Sequence, residues 1–158
     1  MSIPTTPPRP ELPFFVYGTL RPGEVNHDAF LRGRTLREEP ARLAGAVLYD
    51  GPGYPYVVEE PGRHEISGAT GAAGATVVGE LVTALPAAYA PLLAELDRLE
   101  EYRPGDPRNL YERVERAVLR ESGSAPVRAW VYVAAPAVAA RLRARGKLIE
   151  GGDWLARR

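Results

Sequence analysis

Apolar positions fall into short runs punctuated by Gly and Pro, with one helical stripe among them. The run Phe14–Tyr17 is aromatic and β-branched and stops at Gly18, which predicts a buried strand with a sharp exit into a loop over Arg21–Asn26. Residues 35–50 predict a long, partly regular strand segment that ends in the turn Asp50-Gly51-Pro52-Gly53. Further strands are expected over 54–59, 77–82, 110–120 and 127–134, the last two joined by Glu121-Ser122-Gly123-Ser124. Leu92, Leu93, Leu96 and Leu99 recur at helical spacing behind Pro91, predicting a helix over 91–101 that Arg103-Pro104-Gly105-Asp106 breaks. Asn26 or Asp28 is positioned to cap a short helix to about Arg32, and residues 136–146 suit a last one closed by Gly146. Strands outnumber helices and alternate irregularly with them. The expected fold is α+β, a mixed small β-barrel or curved sheet flanked by helices.

Two segments stand outside that pattern. Residues 1–13 carry several prolines and few bulky apolar side chains, so they are read as a disordered tail ahead of a single domain over 14–158. Residues 61–76 are rich in Gly, Ala and Ser without periodicity and are read as a mobile surface loop.

With 158 residues and 45% hydrophobic content, the chain can enclose one core. Twenty Lys and Arg balance twenty Asp and Glu, and no long block of one sign occurs, which argues against nucleic-acid or acidic-membrane partners. The Arg-rich stretch 141–145 and the final Arg157-Arg158 are read as a solvated face. The absence of Cys excludes disulfides and thiolate chemistry and suits a reducing cytoplasm. There is neither a signal-peptide pattern nor an apolar run of membrane-spanning length. Ser2, Ser67, Ser122 and Ser124 fall in the tail or in loops, outside any nucleophile elbow, and His27 and His64 are read as isolated, solvent-exposed imidazoles that form no metal site.

At about 100° per residue, Glu100 falls within the leucine stripe, whereas Arg98 and Glu101 face water and Asp97 sits at the edge. A carboxylate against apolar surroundings has its pKa raised toward neutrality, as a general acid/base requires. Periodicity alone leaves the alternative open that Glu100 reaches water from a fraying helix end or pairs with an Arg. The abrupt stop at Gly18 similarly leaves the backbone N–H groups of Gly18, Thr19 and Leu20 without a sheet partner, a cradle suited to a small carboxylate. Its alternative is an ordinary strand-to-loop turn. It is neither a P-loop nor a dinucleotide fingerprint.

VYGTLRPG at 16–23, GYPYV at 53–57, LDRLEEY at 96–102 and GGDW at 151–154 together resemble the gamma-glutamylcyclotransferase-like family over nearly the whole chain beyond the tail. The resemblance implies a mixed β-barrel flanked by helices, with Glu100 as acid/base. It implies that Tyr17, Gly18, Thr19 and Leu20 hold the α-carboxylate or amine end of a gamma-glutamyl substrate and that Tyr132 lines the site. The family pattern Leu-Asp-x-x-Glu-Gly is met at Asp97 and Glu100, while Glu101 stands where glycine is usual. The implied reaction is attack of the substrate's own α-amine on its γ-carbonyl, which needs neither metal nor organic cofactor and releases 5-oxoproline. The alternative on the same fold is a non-catalytic binding module for a gamma-glutamyl or amino-acid-like ligand.

Overall fold

The structure, a computed structural model, describes residues 11–60, 75–123 and 125–157. In chain order these form β1 (Phe14–Val16), β2 (Thr35–Ala44), β3 (Ala46–Asp50), β4 (Tyr56–Glu59), β5 (Thr76–Ala84), α1 (Tyr89–Leu99), β6 (Tyr111–Arg120), β7 (Val127–Ala134), α2 (Pro136–Arg145) and β8 (Lys147–Leu148). Five strands close a barrel in the order β1-β5-β2-β6-β7, and β4-β3-β8 make a second sheet. Neighbours in the barrel are antiparallel except at the seam, where β7 meets β1 in parallel with Phe14 opposite Trp130. The expected α+β fold, a small mixed barrel flanked by helices, is the one observed.

The continuous apolar run of β1 has a packing cause, because both faces of the strand are covered. Phe14 and Val16 join the core under α1, while Phe15 and Tyr17 join a second cluster on the opposite face. β7 alternates in the same way, sending Tyr132 and Ala134 one way and Val131 and Val133 the other. Leu92 and Leu96 of α1 are completely enclosed in the first cluster. Each contributes roughly 1.5–3 kcal/mol by burial. Phe14 stacks on Tyr89 at 5.6 Å between ring centroids, which ties the start of the helix to the first strand.

Several expected boundaries move. The segment 35–50 is two strands in two sheets, because Gly45 takes a left-handed φ of 76° and turns the chain out of the barrel. α1 begins at Tyr89, two residues ahead of the expected Pro91, since a 3-10 turn at Pro86–Ala88 leads into it. Pro91 remains within the first turn, where a missing N–H costs nothing. Residues 11–13 were assigned to the tail, yet Leu12 is buried with its carbonyl accepting the Tyr89 hydroxyl at 2.9 Å, and the Pro13 carbonyl accepts the Trp130 N–H at 2.8 Å. The rest of the expected tail lies outside the described residues, as does the expected loop 61–76 apart from Ala75 and Thr76, and Thr76 already belongs to β5. Among the described residues no helix is long and apolar enough to cross a membrane.

β5 passes close to β1 in the barrel. A Cβ added at Gly79 would lie 2.2 Å from the Val16 carbonyl oxygen. Gly79→Ala is therefore expected to cost about 2–3 kcal/mol by forcing the two backbones apart. Urea unfolding checks this, with a lower midpoint at an unchanged m-value as the expected result.

Candidate active site

α1 ends in a turn that its hydrogen bonds define. The Tyr102 N–H reaches back to the Asp97 carbonyl at 2.8 Å and the Glu101 N–H to the Arg98 carbonyl at 3.1 Å. That pair of bonds is a Schellman motif, with Glu100 as the C-cap and Glu101 at the left-handed position. Glu101 has φ 53°, the positive φ among the described non-glycine residues. Glycine is the usual residue there because a side chain in this conformation costs about 1–2 kcal/mol. The turn then directs Glu100 inward while Glu101 stays exposed, as the helical stripe anticipates.

Glu100 lines a narrow, partly open cleft of about 40 Å³. The cleft is walled by β1, the segment Tyr17–Leu20, Tyr54, Pro55, Leu96, Tyr111 and Tyr132. Of these lining residues Glu100 alone is an acid or a base of formal charge at neutral pH. No cation pairs with it among the described residues, and burial pushes its carboxyl pKa up from 4.5 to about 7. Its place at the carbonyl end of a helix disfavours negative charge in the same sense.

Across the cleft the chain leaves β1 and turns, with the Arg21 N–H donating to the Gly18 carbonyl at 3.0 Å. The N–H groups of Gly18, Thr19 and Leu20 have no backbone acceptor among the described residues. Gly18 is held here by a close approach: a Cβ would sit 2.7 Å from Cδ of Pro55. The Tyr17 side chain is buried and its hydroxyl donates to the Tyr132 carbonyl, so that hydroxyl proton is already committed within the protein. Burial, reinforced by the charge of Glu100, pushes the Tyr17 hydroxyl pKa well up and keeps it neutral.

Tyr132 does line the cleft, and its hydroxyl donates to Oδ1 of Asp97 at 2.6 Å. The same oxygen accepts Nε of Arg113 at 2.9 Å, and the Arg113 guanidinium lies 4.3 Å from the centroid of the Trp130 ring. Asp97, at the edge of the stripe, thus locks the last turn of α1 to β6 and β7. Sequence reasoning passed over Arg113, Tyr54 and Tyr111. Arg113 and Tyr111 share a face of β6 at a spacing of two, which is the one signal that could have shown them.

Two polar residues between β1 and β2 behave differently from expectation. Asn26 does not cap the following turn through its side chain; it donates to Oγ1 of Thr19 at 2.8 Å and so braces the cleft loop. His27 is not a solvent-exposed imidazole. It lies in a π-helical turn, His27–Leu31, with Nε2 2.7 Å from Glu38 and its side chain 15% exposed, because burial of Leu31 draws the turn onto the barrel. His64 lies outside the described residues.

The fold is a small mixed barrel whose cleft is lined by one carboxylic acid, Glu100, and by the loop Gly18–Leu20. The chain belongs to the family described as gamma-glutamyl cyclotransferase, AIG2-like, whose sequence model matches residues 14–156. A relative from Niallia circulans, named gamma-L-glutamyl-butirosin B gamma-glutamyl cyclotransferase, is 38% identical over 120 residues, covering 75% of this chain. The matched part spans 64% of that relative's length. YkqA of Bacillus subtilis shares the fold with a TM-score of 0.57 at 23% identity, over 90% of this chain and 39% of that one. An AIG2-like protein of Mus musculus shares it with a TM-score of 0.52 at 23% identity, over 80% of each chain.

The site makes two stability predictions. Glu101→Gly relieves the left-handed side chain and is expected to raise stability by about 0.5–1 kcal/mol, read from the denaturant midpoint. Glu100, whose folded pKa lies above the unfolded value, binds its proton more tightly when folded. Its contribution is fully present below about pH 4.5 and is lost as pH rises through about 7. Glu100→Gln is therefore expected to stabilise the protein at pH 8 relative to wild type by on the order of 2–3 kcal/mol more than at pH 4.5. Melting curves at the two pH values provide the check.

Proposed function

We propose that the protein is a gamma-glutamyl cyclotransferase of small molecules, acting in the cytoplasm, with Glu100 as its proton carrier. The supporting observation is the pairing, in one cleft, of an uncompensated acid with a pKa of about 7 and the free amides of Gly18, Thr19 and Leu20. These amides suit the substrate's α-carboxylate. The Tyr17 backbone and Tyr132 complete the wall that folds the glutamyl chain into a near-ring shape.

In the chemistry, the ionised Glu100 carboxylate takes a proton from the α-ammonium, and the freed amine attacks the γ-carbonyl carbon to close a five-membered ring. As the bond from that carbon to the leaving nitrogen breaks, Glu100 passes its proton to the departing nitrogen, then takes the second proton that the ring nitrogen sheds on becoming the lactam N–H and hands it to the departing amine, which leaves as its ammonium. The products are 5-oxoproline and a free amine or amino acid, and Glu100 ends as it began. The nucleophile belongs to the substrate, so the scheme asks for no nucleophilic side chain and for no cofactor. The Niallia circulans relative is named for gamma-L-glutamyl-butirosin B, which supports testing gamma-glutamyl amines beside gamma-glutamyl amino acids as substrates of this chain.

Release of 5-oxoproline from a panel of gamma-glutamyl amino acids, dipeptides and amines is the expected outcome. Glu100→Gln is expected to keep substrate affinity and lose about 10²–10⁴-fold in kcat. Unchanged turnover in that variant removes Glu100 from its role. A wild-type protein that binds members of the panel without turnover is instead a binding module. Because Glu100 must start ionised, kcat/KM is expected to fall about tenfold per pH unit below about 7.

A further inference from the structure

The Gly-Gly-Asp-Trp segment lines no part of the cleft, yet the structure couples it to the cleft loop. Arg21 follows directly on the free amides and is the one charged residue that is buried among the described residues, at 6% exposure. Its Nε and Nη2 donate to the two carboxylate oxygens of Glu80 on β5 at 2.8 and 3.3 Å, and its Nη1 donates to Oδ1 of Asp153 at 2.6 Å. Its backbone N–H meanwhile holds the Gly18 carbonyl. One residue thus fixes the turn that orients the amides, and it is fixed in turn by two carboxylates from remote parts of the chain. A planar, forked guanidinium can satisfy both, which a lysine cannot.

Asp153 is itself held in place. Its Oδ1 also accepts the Leu155 N–H at 3.0 Å, and Trp154 is buried in the same cluster as Tyr17. Gly151 and Gly152 take left-handed φ values of 84° and 66°. A Cβ on Gly152 would stand 2.0 Å from the Thr76 carbonyl oxygen, so the segment passes flush against β5. The glycines, the aspartate and the tryptophan therefore act together to present one carboxylate oxygen to Arg21.

From this geometry we infer that Arg21, anchored by Glu80 and Asp153, is a positioning residue for the substrate-binding amides, and that the Gly151–Trp154 segment is a remote part of the site. Arg21 touches no reacting atom. It acts by holding in one conformation the turn Gly18–Arg21, whose first three residues line the cleft with N–H groups that meet no backbone acceptor among the described residues. The inference rests on the reading of those amides as the carboxylate cradle. The α-carboxylate changes neither its charge nor its bonding as the ring closes, so contacts to it are made nearly equally in ground and transition states and their loss appears in KM more than in kcat.

Two variants test it. Arg21→Lys keeps the charge and loses the fork; the expected result is a rise in KM of about tenfold with kcat within about threefold. Lower kcat at unchanged KM, tracking only the folded fraction, overturns the inference. Asp153→Ala lies far from the loop in sequence, and in ¹⁵N-labelled protein it is expected to shift the amide signals of Gly18, Thr19 and Leu20 while those of β6 and β7 hold. Unmoved loop signals overturn the inference. The amide measurement needs no substrate, so it decides the matter even where wild-type protein releases no 5-oxoproline, a result that counts against the proposed reaction alone.

Discussion

The rotation of α1 about its own axis is the constraint on which the cleft depends. Leu92 and Leu96 are wholly enclosed against β1 and β7, and turning the helix by one residue would drive one of them into water and a polar neighbour into the core. With that rotation fixed, the end of the helix has little freedom. Asp97 is bound from two sides by Arg113 and Tyr132, the Schellman turn closes the chain back on itself, and Glu100 is left facing inward. The acid is costly to keep there, and the leucines below it supply the packing that offsets the cost.

The opposing wall is set by close backbone approach more than by side chains. Gly18 lies against Pro55, Asn26 braces Thr19, and the Tyr17 hydroxyl bonds the Tyr132 carbonyl. Tyr132 therefore joins both sides of the cleft, through its carbonyl to the loop and through its hydroxyl to the helix. A tyrosine in this position does the structural work its sequence context suggests and also lines the cavity.

Much of this was legible in the amino-acid order, for identifiable reasons. Phe14–Tyr17 announces a strand covered on both faces because no polar residue interrupts it, and the leucines of α1 place Glu100 because helical geometry leaves little choice. The break at Gly45 was less visible, since a lone glycine within a strand-like run reads equally as a bulge or a close approach, and its positive φ is a property of the fold. His27 was misread because its burial comes from Leu31 four residues on, within a turn whose π-helical form has no sequence signature. Glu101 showed the reverse case: the departure from glycine was plain in the sequence, and the structure supplies its meaning as a strained left-handed residue. Arg113 and the clamp on Arg21 join positions 16 and 132 residues apart, and distances of that kind are set by tertiary pairing, which local pattern does not carry.

The seam of the barrel has a kinetic consequence. β1 is closed on one side by a strand that begins at Thr76 and on the other by one reached only at Val127, so the first ordered strand waits for its partners until most of the chain has been synthesised. Until then its aromatic run is an unpaired edge, open to association with other nascent chains. The time for which that edge stays open is thus set by the order of the strands along the chain.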